Sequence, residues 1–303
     1  MIFRLSYITI IFSLISLNLI GQEIIKGKVV SKENKPVSFA SIRGNSGQVN
    51  FSDSLGMYIL KPKYSNELYT FSCVGFQSIT FSYKELKNNP KVELVELNYN
   101  LNEVIVASNE KITKEKIFGN DKIGIARFFT RYNHQYAIYI HNQNKEKGII
   151  EILSFYLKKA KTGNSAGLFR VRLYSINPIT KAPGEDILKS NIILKGDKNS
   201  TWLNVDIRNY NIDFPKDGFF MALEVLSKTN YKSETSLDKI KGDKSNFIPL
   251  IGLTTTKSES FSWTYSPHPM FEIDRWSKTS GDNFSMKSKI LENVIASNQI
   301  IFP

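Results

Sequence analysis

Five large aromatic side chains in the second half of the sequence have the clearest potential for ligand chemistry. Flat rings on the surface of a β-sheet can stack on sugar rings, and neighbouring Asn and Asp side chains can then bind the hydroxyl groups. The residues that fit this pattern are Tyr174, Trp202, Trp263, Tyr265 and Trp276. Because large aromatic side chains are most often buried for their area, core packing is the alternative interpretation at each position.

A serine-hydrolase motif occurs at residues 163–167, which read Gly-Asn-Ser-Ala-Gly, and Asp206 and His268 come later in the order of a catalytic triad. The motif works when the serine lies on a sharp turn from a strand into a helix, whose N-terminus helps form the oxyanion hole. Here residues 168–175 alternate between apolar and polar side chains, as a strand does. The sequence therefore predicts a hairpin loop at this motif and no catalytic residue.

Acidic side chains offer a second possible chemistry. Two converging carboxylates could hydrolyse a glycosidic bond, and several could supply oxygen ligands to a structural calcium ion. The candidates are Glu185, Asp186, Asp206, Asp213 and Glu224. Solvated surface charge and cross-strand pairing with Arg170 or Arg172 are the other interpretations of these residues. We expect no cofactor and no metal site, with a structural calcium ion as the one option left open.

Histidine and cysteine residues do not form a metal-binding or redox motif. His134 and His141 are seven residues apart across one predicted strand, and an odd separation places them on opposite faces. No His-Glu-x-x-His sequence is present. The single cysteine, Cys73, cannot form an intramolecular disulfide, and we expect it to be a buried strand residue.

The elements that must position these side chains are short strands. Period-two alternation is clear at 169–175 and 202–207, and residues 218–225 are almost entirely apolar, as in a central strand. The predicted strands are 136–140, 149–157, 169–175, 187–194, 202–207, 218–225, 250–255, 261–265 and 284–291. Nine strands indicate a larger antiparallel sandwich of the jelly-roll type over residues 122–303.

The first part of the chain has the same all-β character. The predicted strands are 24–30, 37–42, 57–60, 68–74, 77–83, 91–97 and 103–106. Pro36 interrupts the first pair of strands, and Asp53 and Gly56 occupy the first and fourth positions of a type I turn. The next segment, residues 108–121, is charged and polar and is interpreted as a linker.

Five motifs in the first part carry a resemblance to a known family. They are Gly-Lys-Val-Val at 27–30, Pro-Val-Ser-Phe-Ala-Ser-Ile at 36–42, Ser-Asp-Ser-Leu-Gly-Met-Tyr-Ile at 52–59, Phe-Ser-Cys-Val-Gly-Phe at 71–76 and Leu-Asn-Glu-Val-Ile-Val at 101–106. In this order they resemble the carboxypeptidase-regulatory-like domain. That resemblance implies a small, transthyretin-like, seven-stranded sandwich over residues 22–107.

Similar domains begin TonB-dependent outer-membrane receptors, but the barrel of such a receptor needs several hundred further residues. We therefore do not expect a transporter. The second region resembles galactose-binding-like domains and carbohydrate-binding-module jelly rolls, through its strand layout and the segments 169–174 and 218–224. Likeness at the level of the fold does not transmit a ligand.

The N-terminal residues 1–21 are interpreted as a secretory signal peptide, with Arg4 ahead of an apolar run at 5–20 and cleavage before Gln22. The formal net charge of the chain is +12, and loss of Arg4 leaves +11. The basic residues are spread along the chain, which argues against nucleic-acid binding and fits adhesion to anionic glycans or lipid headgroups. After cleavage we expect no segment that spans a membrane.

These observations together predict an exported protein of the periplasm, the outer membrane or the cell surface. Its expected function is non-catalytic binding or scaffolding in the cell envelope, with a glycan or a protein as partner and the second sandwich as the glycan-binding part. A secreted hydrolase that uses carboxylates of the second sandwich is one alternative. A structural or assembly subunit of an envelope complex is another.

Overall fold

The computed structural model describes residues 24–97, 112–159, 167–196, 199, 201–231, 248–254, 262–267, 275–279, 284 and 286–294. The chain is nearly all β, arranged in several sheets that pack as sandwiches, which confirms the predicted fold class. The predicted signal peptide, 1–21, and the predicted strand 103–106 lie outside the described residues. Within those residues, no helix has the length and apolar character needed to cross a bilayer.

Seven strands and one helix build the first sandwich. The strands are β1 (Ile25–Ser31), β2 (Ser41–Gly44), β3 (Val49–Phe51), β4 (Met57–Leu60), β5 (Leu68–Ser72), β6 (Ile79–Ser82) and β7 (Lys91–Leu94), and helix α1 spans Tyr83–Asn88. One sheet has the order β4-β1-β7 and the other β3-β2-β5-β6. The rings of Tyr58 and Phe71 meet edge to face at 5.3 Å between the two sheets. This contact lies in the core that the two sheets enclose.

Two elements of the first sandwich differ from the sequence-based expectation. The strand predicted at 37–42 begins only at Ser41, because the chain turns at Phe39, whose φ of 55° is left-handed. The strand predicted at 77–83 spans only Ile79–Ser82, and residues 83–88 form α1. Ser82 caps this helix through the amide of Glu85, and the Glu85 side chain bonds back to the Ser82 amide, which is a capping box.

The second sandwich contains fourteen of the described strands. They are β8 (Ile112–Gly119), β9 (Arg127–Phe129), β10 (Gln135–Ile140), β11 (Gly148–Leu157), β12 (Leu168–Ile176), β13 (Pro183–Asp186), β14 (Ile193–Lys195), β15 (Thr201–Asp206), β16 (Ile212–Asp213), β17 (Phe219–Val225), β18 (Leu250–Gly252), β19 (Ser262–Ser266), β20 (Arg275–Lys278) and β21 (Met286–Val294).

These strands form two sheets. The front sheet has the order β13-β12-β17-β10-β19-β20, with β14 paired to β12, and the back sheet has the order β8-β21-β11-β18-β9, with β15 and β16 paired to β11. The inner faces meet in one apolar core, where Phe155 of the back sheet and Phe169 of the front sheet touch edge to face at 5.5 Å. All described pairings in the two sheets are antiparallel, as expected for this part of the chain.

The linker interpretation of residues 108–121 is wrong for 112–119, which form β8 and pair with β21 along their whole length. An edge strand can be rich in charge because one side faces solvent, so its composition resembles that of a linker. Phe118 packs against the core, while Lys116 pairs with Glu146 at 2.9 Å. The strand predicted at 187–194 is also wrong, since 183–186 and 193–195 are strands and the residues between them connect the two.

His134, just before β10, is held as a neutral ring. Its Nδ1 lies 2.8 Å from the Tyr132 carbonyl oxygen and its Nε2 lies 2.7 Å from the Ser266 hydroxyl, so the ring donates to the first and accepts from the second. Burial lowers the pKa of His134 below its ordinary value of 6.5, and the charge of Arg131 lowers it further. Below about pH 6.5 the unfolded chain therefore takes up a proton that the folded chain resists.

We expect the stability of the protein to fall as the pH drops from about 7.5 to about 5.5. In the variant His134→Gln this fall should be smaller, because the titrating ring is gone. Urea denaturation at both pH values measures the effect. An identical pH dependence in the variant and the unchanged protein would contradict the assignment.

Candidate functional site

The outer face of the front sheet carries most of the side chains that could take part in binding or catalysis. Alternate residues of β12 and β17 point into the core, for example Val171 and Leu223. The intervening positions of β10, β12, β17, β19 and β20 therefore point outward. One part of this outer face is covered by the first sandwich. The other part carries a group of aromatic side chains that we call the aromatic zone: Tyr174, Phe220, Trp263, Tyr265 and Trp276.

A buried ionic network lies where the first sandwich covers the sheet. Arg170, with 1% of its side chain exposed, donates to Glu224 Oε2 at 3.0 Å. Arg172 donates to the same oxygen at 3.0 Å and, through its Nε, to Asp186 Oδ1 at 2.8 Å. The expected pairing of acidic residues with Arg170 and Arg172 is thus confirmed for Glu224 and Asp186.

The same network joins the two sandwiches. Arg170 also donates to the backbone oxygen of Phe39, and Asn191 donates to the backbone oxygen of Ser38 at 2.9 Å. Asn230 donates to the backbone oxygen of Ser52 at 2.8 Å. Around these bonds lies an apolar cluster that contains residues of both sandwiches: Phe39, Val49, Phe51, Leu168, Ile193, Leu226 and Tyr231. The left-handed turn at Phe39, which breaks the expected strand, presents the carbonyl that Arg170 binds.

The charge state of Glu224 results from this setting. Burial alone would raise the pKa of the Glu224 carboxyl, but the guanidinium groups of Arg170 and Arg172 lower it below its ordinary value. Glu224 is therefore an ionised structural partner of two arginines. It does not have the raised pKa that a general acid needs.

The other acidic candidates are dispersed. Asp206 pairs with Arg208 at the exposed end of β15, and Glu185 is exposed. Asp213 and Glu96 both line a cleft of about 810 Å³ between the two sandwiches, and both side chains are exposed. No group of three His, Cys, Asp or Glu side chains able to hold a metal ion occurs in the described ranges. The hydrolase alternative stays a prediction.

The hydrolase-like motif is only partly covered by the structure. Residues 163–166 and His268 lie outside the described residues. Directly after Gly167 the chain enters strand β12, as expected, where a serine-hydrolase elbow would continue into a helix.

Four of the five aromatic residues singled out from the sequence lie in the aromatic zone. Trp276 is in contact with Tyr174 and Tyr265, at 5.7 and 5.5 Å between ring centroids. Trp263 meets Phe220 edge to face at 6.0 Å. Small side chains at Ala137 and Ala222 contribute to the same cluster, which leaves room for the rings to lie close to the sheet. The rings are carried by β12, β17, β19 and β20 of one sheet, so the fold brings together residues from distant parts of the sequence.

Only some of these rings could meet a ligand. Tyr174 and Tyr265 are buried, and their hydroxyl groups are engaged by Gln135 and Arg43. These two residues therefore follow the alternative interpretation, in which the ring is buried by packing. Trp263 and Trp276 are half-buried.

Trp202 lies elsewhere, on the outer face of the back sheet. Its ring is 5.3 Å from that of Tyr156, its cross-strand partner, and the Lys287 ammonium lies 4.6 Å from its centroid. The five residues therefore do not form one site.

A cavity of about 410 Å³ opens beside the aromatic zone, at the ends of β10, β12 and β17. Its walls are Tyr139, Ile176, Pro178, Lys181, Asp217 and Phe220. The rings of Tyr139 and Phe220 are in contact at 5.2 Å, and Phe220 in turn contacts Trp263. Aromatic walls with one carboxylate and one ammonium group at the rim suit a ligand that combines an apolar face with hydroxyl groups.

A tight turn shapes this cavity. The turn before β17 places Asp217 at the rim, and Gly218 comes next with a φ of +88°. A β-carbon at Gly218 would lie 2.2 Å from the backbone oxygen of Ile140, so only glycine fits there. The Tyr139 hydroxyl donates to the backbone oxygen of Asp217, which ties the ring to the turn.

Sequence reasoning did not select the residues of the cavity. The strands that carry Tyr139 and Phe220 were predicted, and period two already places Tyr139 opposite the core residues Ile138 and Ile140. The sequence contains no signal that brings the turn around Pro178 next to Asp217.

Comparison with protein-family models and with curated proteins finds no match for this chain. The protein is therefore an all-β protein with two sandwiches that are joined by a buried ionic network. Its larger sandwich carries a cavity with aromatic walls.

Proposed function

We propose that this chain is a non-catalytic binding protein of the cell envelope that holds a sugar residue of a glycan in the cavity on the front sheet. The observation that carries the proposal is the half-buried ring of Tyr139, which is backed by the buried ring of Phe220, with Asp217 and Lys181 at the rim. The apolar faces of a sugar ring stack on aromatic rings, while charged side chains bond its hydroxyl groups. A volume of about 410 Å³ lies within the usual range for small-ligand sites.

In this proposal the first sandwich, with its resemblance to a carboxypeptidase-regulatory-like domain, is a scaffold. Its contacts with Arg170, Asn191 and Asn230 fix it against the same sheet that carries the cavity. Export to the envelope, which the N-terminal segment predicts, would place the cavity where glycans are accessible.

Replacing Tyr139 by alanine should weaken glycan binding about tenfold, because the ring supplies one stacking wall of the cavity. A glycan array probed with the exported chain identifies the strongest oligosaccharide, and calorimetry with that oligosaccharide gives the dissociation constants. The matched control is Tyr156→Ala, which removes a half-buried tyrosine from the outer face of the other sheet. An array without signal above background would refute the proposal, as would a loss of affinity in the control but not in Tyr139→Ala.

A further inference from the structure

A second surface of the molecule exposes large apolar side chains next to cations. Ile123, Ile125 and Phe129, which we call the apolar tip, are 44%, 97% and 65% exposed. All three lie within seven consecutive residues that lead into and form strand β9. Single exposed apolar residues are normal on protein surfaces, but three in one short segment indicate a surface that contacts something apolar.

The position of β9 in the sheet explains why Phe129 is exposed. β9 is an edge strand of the back sheet, and its central residue, Phe128, points into the core, where it contacts Tyr136 and Phe284 at 5.4 and 5.2 Å. Its neighbours Arg127 and Phe129 must therefore point to the outer face.

The loop before β9 is held in place by cationic side chains. The Lys158 ammonium donates to the backbone oxygen of Gly124 at 2.7 Å, between the two exposed isoleucines. Arg127 donates to the backbone oxygen of Lys159 at 3.3 Å, and its guanidinium lies 5.3 Å from the centroid of Phe129. The apolar tip is thus presented on an ordered scaffold of hydrogen bonds.

The charge around the apolar tip is predominantly positive. Among the described residues 121–129 and the two lysines hydrogen-bonded to them, four are cationic, namely Lys122, Arg127, Lys158 and Lys159, and one is acidic, Asp121. The same outer face continues through Tyr156, with the Lys158 ammonium 5.7 Å from its ring centroid, to Trp202. Tyrosine and tryptophan are the side chains that prefer the interface between a bilayer and water.

From this combination we infer that the apolar tip and its basic surround dock the protein on the surface of an anionic phospholipid bilayer. The isoleucine and phenylalanine side chains enter the boundary between headgroups and acyl chains, and the lysine and arginine side chains meet the phosphates. An anionic polysaccharide could use the same cations, but it would not account for three large apolar side chains exposed within seven residues. This surface lies on the back sheet and does not depend on the glycan proposal, which concerns the front sheet.

The test is sedimentation of the full exported chain with lipid vesicles. Vesicles of phosphatidylcholine with added phosphatidylglycerol should bind the protein, vesicles of phosphatidylcholine alone should not, and binding should weaken as NaCl is added. Ile125→Asp should lower the vesicle affinity by at least about tenfold, and Arg127→Gln by about fivefold. The matched control is Ile179→Asp, because Ile179 is 89% exposed at a turn of the front sheet and should be indifferent to lipid.

Three outcomes would overturn the inference. The first is equal binding to neutral and anionic vesicles, or none to either. The second is binding to anionic vesicles that Ile125→Asp leaves intact while heparin competes fully, which would assign the cations to a polysaccharide. The third is concentration-dependent self-association that Ile125→Asp abolishes in a chain that ignores vesicles, which would assign the apolar tip to a second copy of the chain.

Discussion

Replacing Glu224 by alanine should destabilise the folded protein by about 3–5 kcal/mol, the usual cost of breaking a buried ion pair by removing one partner. The Glu224 carboxylate accepts from both Arg170 and Arg172 at 3.0 Å. Arg172 would keep Asp186 as a partner, but the buried guanidinium of Arg170 would be left with Asn191 and the backbone of Phe39. Since Arg170 is also a link between the sandwiches, the junction should loosen together with the fold.

Urea denaturation measures the loss, and hydrogen exchange of the Phe39 turn reports on the junction. The control is Asp206→Ala, which removes a carboxylate from the exposed pair with Arg208 and should have a much smaller effect, because solvent screens an exposed pair. Equal effects of the two substitutions would show that the buried network does not stabilise the fold.

The contribution of Glu224 should also depend on pH. Its pKa in the folded protein is below the ordinary value of 4.5. The stabilisation is therefore fully present above about pH 4.5 and is lost as the pH falls through the lowered pKa. The difference in stability between Glu224→Ala and the unchanged protein should accordingly shrink in that acidic range.

Truncation of Phe155 to alanine should cost about 3–5 kcal/mol, because it opens a cavity between the two sheets of the larger sandwich. The Phe155 side chain is fully buried and contacts Phe169 of the opposite sheet at 5.5 Å. Calorimetric or urea unfolding gives the loss.

Phe129→Ala is the matched control for this substitution. It removes the same ring from the edge strand, where the ring is 65% exposed, and should change stability by no more than about 0.5 kcal/mol. If Phe155→Ala were as mild as the control, the two sheets would not enclose a tightly packed core.

Much of the fold could be predicted because alternation is a local property. The strands around Ile138, Leu173 and Val205 were placed correctly, since every second apolar residue marks one face of a strand. The strand predictions failed where tertiary contacts, and not local alternation, determine the structure. β8 is charged because it lies at a sheet edge, and the chain turns at Phe39, where its carbonyl binds Arg170.

Of the candidate site, the sequence predicted only that aromatic side chains could lie on the surface of a β-sheet. Residue type and period place Tyr174, Trp263 and Tyr265 on short predicted strands, but they did not predict strand β20, which carries Trp276. Folding was needed to establish that Tyr174 and Tyr265 are buried, that Trp202 faces away from the others, and that Tyr139 and Phe220 wall a cavity. These outcomes depend on strand order and register, which bring together residues that are far apart in the sequence. No local sequence pattern encodes strand order or register, so the sequence alone could not predict them.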